Sequence, residues 1–143
     1  MTMTILAYQD FLQVAARKLQ DPALINRRSA LLIVNFERLA ELDGILGFAV
    51  VDKILTQVSN QLKAALNTED LVGTTGRYQV SCLLSDLLTD AHAMLAAHKI
   101  LRVLALPFVL DRRNIILAPR IGVALKNNAS ATLEQLMSNA SSA

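Results

Sequence analysis

Two β-rich runs, Asp70 to Thr75 and Tyr78 to Leu84, stand only two residues apart, and Gly76-Arg77 is the spacer. So short a connection joins antiparallel neighbours, because a parallel pair needs a long crossover. Glycine at the first turn position suits a type II′ turn, which requires positive φ there. The rest of the chain has to be arranged around this hairpin.

Upstream, Leu6, Phe11, Leu12, Ala15 and Leu19 recur at helical spacing between Ile5 and Gln20, and Asp21-Pro22 stops that helix. Arg27 and Arg28 form a solvated edge before Ala30 to Val34, an apolar run of strand length. A second helix spans Phe48 to Leu66, with Val51, Leu55, Val58, Leu62 and Ala65 in one stripe. Downstream, Asp86 to Leu104 reads as a helix with Leu87, Ala91, Met94, His98 and Leu101 inward, ended by Pro107. Phe108 to Leu110 and Ile115 to Ala124 read as a second hairpin turning at Asp111 to Asn114. Thr132 caps a last helix, Leu133 to Ala140. This succession predicts an α+β domain with a mostly antiparallel central sheet covered by helices. Residues 1–143 read as one domain, without repeat or linker.

Composition narrows the function. The chain is 53% hydrophobic with no Trp, so its core is aliphatic. A single cysteine, Cys82, excludes an internal disulfide and reads as a buried thiol within Val80 to Leu84. Residues 1–70 hold seven Lys/Arg against eight Asp/Glu, and 71–143 hold seven against four. No basic run interleaves with aromatics, which argues against nucleic acid as a partner. Met1 to Thr4 lack the basic start of a signal peptide, and Ile45 to Val51 is too short to span a bilayer. The expectation is a cytoplasmic protein without membrane contact. His92 and His98 lie six residues apart on one helix, about 120° from sharing a face. No P-loop, nucleophile-elbow or Cys-x-x-Cys pattern occurs.

Four segments in register carry a resemblance. Ala30 to Gly47 reads ALLIVNFERLAELDGILG, and the match continues through Val51-Asp52 to Leu66. Asp70-Leu71-Val72 leads into Gly76-Arg77-Tyr78-Gln79-Val80, and Arg120-Ile-Gly-Val-Ala124 follows later. Together they resemble the GGDEF domain family of diguanylate cyclases, over about residues 5–143. The resemblance implies a nucleotidyl-cyclase-like fold with a ferredoxin-like core. It also implies the family's activity, joining two GTP molecules into cyclic di-GMP with divalent cations held by carboxylates.

Residue by residue, the resemblance departs from that chemistry. Asn35 stands at the family's metal-binding Asp. Gly76 keeps the first glycine of the signature, while Arg77 replaces the second, Tyr78 the Asp, Gln79 the Glu and Val80 the Phe. Three carboxylates become neutral side chains, so no metal and no cofactor are expected. Asp43 and Asp52 match the guanine contacts, the former with an acid in place of an amide. With Gly76 and Arg77 they would form a vestigial nucleotide pocket. Arg77 reads as an exposed turn residue or as a phosphate contact, and Asp52 as a surface carboxylate or a surviving ligand. Of the product-inhibition motif R-x-x-D only Asp70 remains, in Asn67-Thr68-Glu69-Asp70.

The resulting expectation is a catalytically inactive GGDEF domain acting as a regulatory or dimerisation module. It would sit beside a neighbouring signalling domain, such as an EAL phosphodiesterase or a sensor, in a longer protein. It would also be capable of pairing as a homodimer. The alternative is a GTP-binding allosteric sensor without cyclase activity. Residual cyclase activity is the third reading.

Overall fold

The structure, a computed structural model, describes residues 5–23, 27–110, 112–126 and 132–142. In chain order it contains α1 (Tyr8–Gln20), β1 (Arg28–Asn35), α2 (Glu37–Leu46), α3 (Phe48–Ala65), β2 (Leu71–Gly76) and β3 (Gln79–Leu87). These are followed by α4 (Asp90–Leu104), β4 (Phe108–Leu110), β5 (Arg113–Ile115), β6 (Arg120–Lys126) and α5 (Leu133–Ser142). The main sheet has the order β2-β3-β1-β6, with every neighbouring pair antiparallel. Helices carry the chain from β1 to β2 and from β3 to β6, which is the ferredoxin-like arrangement.

The alternation of strand side chains explains why β1 is apolar throughout. Ala30, Leu32 and Val34 enter one core cluster with Val51, Ile54, Val58 and Leu62 of α3 and Ala97 and Ile100 of α4. Leu31 and Ile33 point to the other face, against Phe11 and Ala15 of α1 and Leu136 of α5. A central strand buried on both faces loses the polar half of its alternation. Cys82 lies wholly inside the first cluster, and burial pushes its thiol up to about 12, so it is inert at neutral pH.

Several expectations shift. The first helix starts at Tyr8 rather than Ile5, because Leu6 bonds the edge of β2 instead. Its N–H donates to the Val72 carbonyl at 3.0 Å and its carbonyl accepts from Thr74 N–H at 2.9 Å. Between the first strand and the helix expected from Phe48, the chain forms a further helix, α2, separated from α3 by Gly47. That residue has φ 90°, a conformation glycine adopts without steric cost.

The hairpin turn sits one residue later than expected. β2 continues through Gly76, which pairs with Gln79, and the turn residues are Arg77 and Tyr78. Gly76 is outside the left-handed region, so the type II′ expectation fails. A register shift between Thr74 and Gly76 takes up the difference.

Helix α4 is rotated by one residue, about 100°, from the expected face. Ala93, Ala97, Ile100 and Leu104 are buried, whereas Met94, His98 and Leu101 face solvent. Both stripes are apolar. The one with two alanines lets the helix sit closer to the sheet.

The second hairpin joins β4 to β5 alone, with Phe108 opposite Ile115. The expected strand from Ile115 breaks before Arg120, where Ala118 has φ 44° and Pro119 offers no N–H. β6 then pairs with β1. Asp111 of the expected turn lies outside the described residues, as do Met1 to Thr4. Thr132 does cap α5. Its hydroxyl accepts from Gln135 N–H at 3.2 Å, and the Gln135 side chain accepts from Thr132 N–H at 3.0 Å.

Arg27 and Arg28 are exposed and pair with Asp86 and Asp90 at 3.0 and 2.9 Å, a solvated edge as read. Among the described residues, no helix is long and apolar enough to cross a membrane.

Candidate functional site

The substituted hairpin turn closes onto the corner between α2 and α3. Its position is fixed by the backbone, because Phe36 N–H donates to the Tyr78 carbonyl at 2.8 Å where β1 ends. From that turn the Tyr78 hydroxyl donates to Asp43 Oδ2 at 2.6 Å. Arg77 Nη2 reaches the same oxygen at 2.5 Å. The Arg77 guanidinium carbon also lies 4.9 Å from the centre of the Phe48 ring and 5.6 Å from that of Tyr78.

Asp43 is the enclosed member of this group, with its side chain 13% exposed against 54% for Arg77. Partly enclosed charges interact more strongly than exposed ones, so the corner should be well ordered. The hydrogen bond to Asp43 holds the Tyr78 phenol above its ordinary range, with burial adding to it and Arg77 opposing. The structure therefore brings Asp43 and Arg77 together, but as partners of one another. The phosphate-contact reading of Arg77 has no support in this arrangement. The exposed-turn reading is half right, since its head is engaged.

A second corner lies along the ends of three strands. Asn35 of β1 is opposite Gln79 of β3 on one side and Arg120 of β6 on the other. These residues, with Glu37, Gly122 and Ser141 among others, line a cleft of about 210 Å³. Arg120 approaches Glu37 at 3.7 Å. Gln79 turns its amide back into the hairpin, donating to Thr75 Oγ1 at 2.9 Å. The strand register thus sets positions 35 and 79 side by side at the ends of β1 and β3.

The donors there do not fit a divalent cation. Mg²⁺ takes hard, usually anionic oxygens; the two positions that the strands bring together here are neutral amides beside a guanidinium, and the one carboxylate lining the cleft, Glu37, is paired with that guanidinium. Among the described residues, no three His, Cys, Asp or Glu side chains are grouped to hold a metal.

The remaining expected residues are dispersed. Asp52 is exposed on α3, one turn beyond Phe48. Gly76 is exposed at the end of β2. Asp70 is 4% exposed and accepts from Asn67 N–H at 3.0 Å and Ser85 N–H at 3.3 Å. Burial raises its carboxyl pKa against those two hydrogen bonds. It is a turn-forming carboxylate with both oxygens committed.

Two contributors went unread in the sequence as site residues. Phe48 was seen only as a helix start and Arg120 only as a strand start. The first lies under Arg77 because Gly47 turns the chain there. The second lies beside Asn35 through pairing across 85 positions of chain, which no local pattern encodes.

Comparisons with known proteins agree with this architecture. The family model described as "Diguanylate cyclase, GGDEF domain" matches residues 2–143. The GGDEF domain of TpbB from Pseudomonas aeruginosa superposes with a TM-score of 0.88 at 25% identity, covering 99% of this chain and 89% of that one. An EAL/GGDEF domain protein from M. capsulatus gives a TM-score of 0.81 at 28% identity, covering 93% and 83%. Among curated sequences, the cyclic di-GMP phosphodiesterase NbdA of P. aeruginosa is 25% identical over 130 residues, 91% of this chain and 16% of that protein. The diguanylate cyclase TpbB of the same species is 27% identical over 126 residues, 87% of this chain and 29% of that protein. The chain thus spans less than a third of the length of these curated relatives. With the ferredoxin-like sheet, the hairpin corner and a family match across nearly every residue, the chain belongs to the GGDEF domain family.

Proposed function

We propose that this is a GGDEF domain that does not make cyclic di-GMP and serves as a regulatory or dimerising module within cyclic di-GMP signalling. The observation that carries this reading is the strand-end corner. Asn35 and Gln79 sit opposite one another with Arg120 alongside, so a cation that needs several carboxylates meets two amides, a positive charge and one carboxylate, Glu37, that faces that charge. Phosphoryl chemistry relies on positioned cations to offset phosphate charge, and neutral amides at positions 35 and 79 weaken the hold on them.

A regulatory role accords with the relatives. NbdA is named a phosphodiesterase, and MucR of P. aeruginosa a bifunctional cyclase and phosphodiesterase, so related domains occur beside domains that degrade cyclic di-GMP. The outer face of α4 suits contact with such a neighbour. On that helix Met94 and Leu95 are 48% and 63% exposed, and Leu88, just before it, is 75% exposed.

The test uses the full-length natural polypeptide with and without residues 5–142. The phosphodiesterase rate of an adjoining EAL domain is expected to change by about fivefold or more on deletion, the lower end of ordinary allosteric coupling. Equal rates, with an unchanged oligomeric state, would reject both the regulatory and the dimerising role.

A further inference from the structure

The outer face of α4 keeps a seam that the core does not use. Ala91, Met94, His98 and Leu101 recur at intervals of three and four residues, the spacing by which one helix packs along another. All four are exposed, as is Leu95 beside them. The buried stripe of Ala93, Ala97, Ile100 and Leu104 already ties α4 to the rest of the domain. A helix that needs one apolar face for its own fold thus carries two.

The ends of that seam differ in charge. Asp90 lies in the first turn of α4, with Asp86 just before the helix, and Arg102 lies in the last turn with Lys99 close to it. Asp86 and Asp90 each engage an arginine, Arg27 and Arg28, through one oxygen. Both carboxylates stay open to solvent, with side chains 53% and 39% exposed. Two copies of α4 laid in parallel would set Lys99 and Arg102 against their own counterparts. Laid antiparallel, each copy brings that cationic end to the other's Asp86 and Asp90. The face is its own complement about a two-fold axis, a property that contact with an unlike partner does not require.

We propose that the outer face of α4 pairs with the same face of a second copy of this chain, the two helices running antiparallel. The proposal deepens the dimerising reading given above and rests on it. With 15 residues, α4 is about 22 Å long, so the contact falls at the small end of specific interfaces. A dimer that forms at roughly tens of micromolar and above is expected.

The experiment is sedimentation equilibrium of the chain from about 10 µM to about 1 mM. Wild type should show a monomer–dimer equilibrium. Leu95→Asp alters a residue 63% exposed, outside the core, and should weaken association at least about tenfold. Ile45→Asp, at an apolar residue 76% exposed on α2, should leave it unchanged. Orientation is read with engineered cysteines, since Cys82 is buried and silent. Under mild oxidation His98→Cys, near the middle of the helix, should cross-link to its counterpart. Ala91→Cys, near one end, should not.

A chain that stays monomeric at 1 mM, or a dimer that Leu95→Asp leaves intact, would overturn the proposal. Cross-linking of Ala91→Cys to its counterpart would do so too, because it requires parallel helices. A monomeric chain in which Leu95→Asp alters the rate of an adjoining EAL domain would assign the face to that domain, and the regulatory role would stand. Equal rates on deletion of the domain, with the α4 dimer present, would remove the regulatory role alone.

Discussion

Replacing Gly122 with Ala is expected to destabilise the domain by about 3 kcal/mol, the upper part of the usual range for overpacking. A Cβ at this position would lie 1.8 Å from the carbonyl oxygen of Ala140 in α5 and 2.8 Å from its carbonyl carbon. The obstacle is helix backbone, which cannot swing aside as a side chain can. Either α5 lifts from β6 or the strand bends, and both routes open the cluster of Leu31, Ile33 and Leu136. Thermal melting should record the loss as a drop of roughly 6–12 °C. The substitution also bears on the site, since Gly122 and Ala140 both line the cleft beside Asn35 and Arg120. A melting point within a degree of wild type would show that α5 does not pack where the structure places it.

Phe11→Ala is expected to cost about 3–5 kcal/mol, the range for truncating a fully buried phenylalanine. The ring is fully buried on the face of the sheet opposite α3 and α4. It lies directly over Gly73 of β2, so close that a Cβ there would be 2.7 Å from the ring. Truncation leaves a void under the strand that leads into the Arg77–Tyr78 turn. Nothing nearby can fill it without moving α1, because Ala15 and Leu19 already pack in the same cluster. Urea unfolding should show a lower midpoint with an unchanged slope, since the loss is one of stability and not of compactness. A loss below about 1 kcal/mol would mean that α1 is not part of the cooperative unit.

What the sequence made legible follows from the range over which each signal acts. Helix α3 and the hairpin strands declared themselves, because apolar spacing within a dozen residues suffices to define them. The cap at Thr132 was likewise local. The face of α4 was not: two apolar stripes lie side by side on that helix, and only the packing partner decides between Ala93-Ala97-Ile100 and Met94-His98-Leu101. Nor was the hairpin turn, where a bulge at Thr74–Gly76 moved the two central residues onto Arg77 and Tyr78. That one-residue shift matters chemically. It places two of the four substituted signature residues, Arg77 and Tyr78, at the tip, where they reach Asp43.

The candidate site was legible in its identities but not in its geometry. Asn35 and Gln79 could be named as altered positions, and β1–β3 pairing sets them opposite each other. That Arg120 completes the corner depends on the β1–β6 register, and the capture of Asp43 by Arg77 and Tyr78 depends on α2 lying beside the hairpin turn. Contacts of this kind are decided by tertiary arrangement and leave no periodic trace.

The central claim is that a corner built from Asn35, Gln79 and Arg120, with Arg77 closed onto Asp43, does not support cyclisation of GTP. It is tested most directly by incubating the wild-type chain at high concentration with GTP and excess Mg²⁺ or Mn²⁺ and separating the products by chromatography. The account predicts that GTP is recovered and no cyclic di-GMP forms with either cation. Cyclic di-GMP accumulating in proportion to protein, and lost in Gln79→Ala, would contradict it.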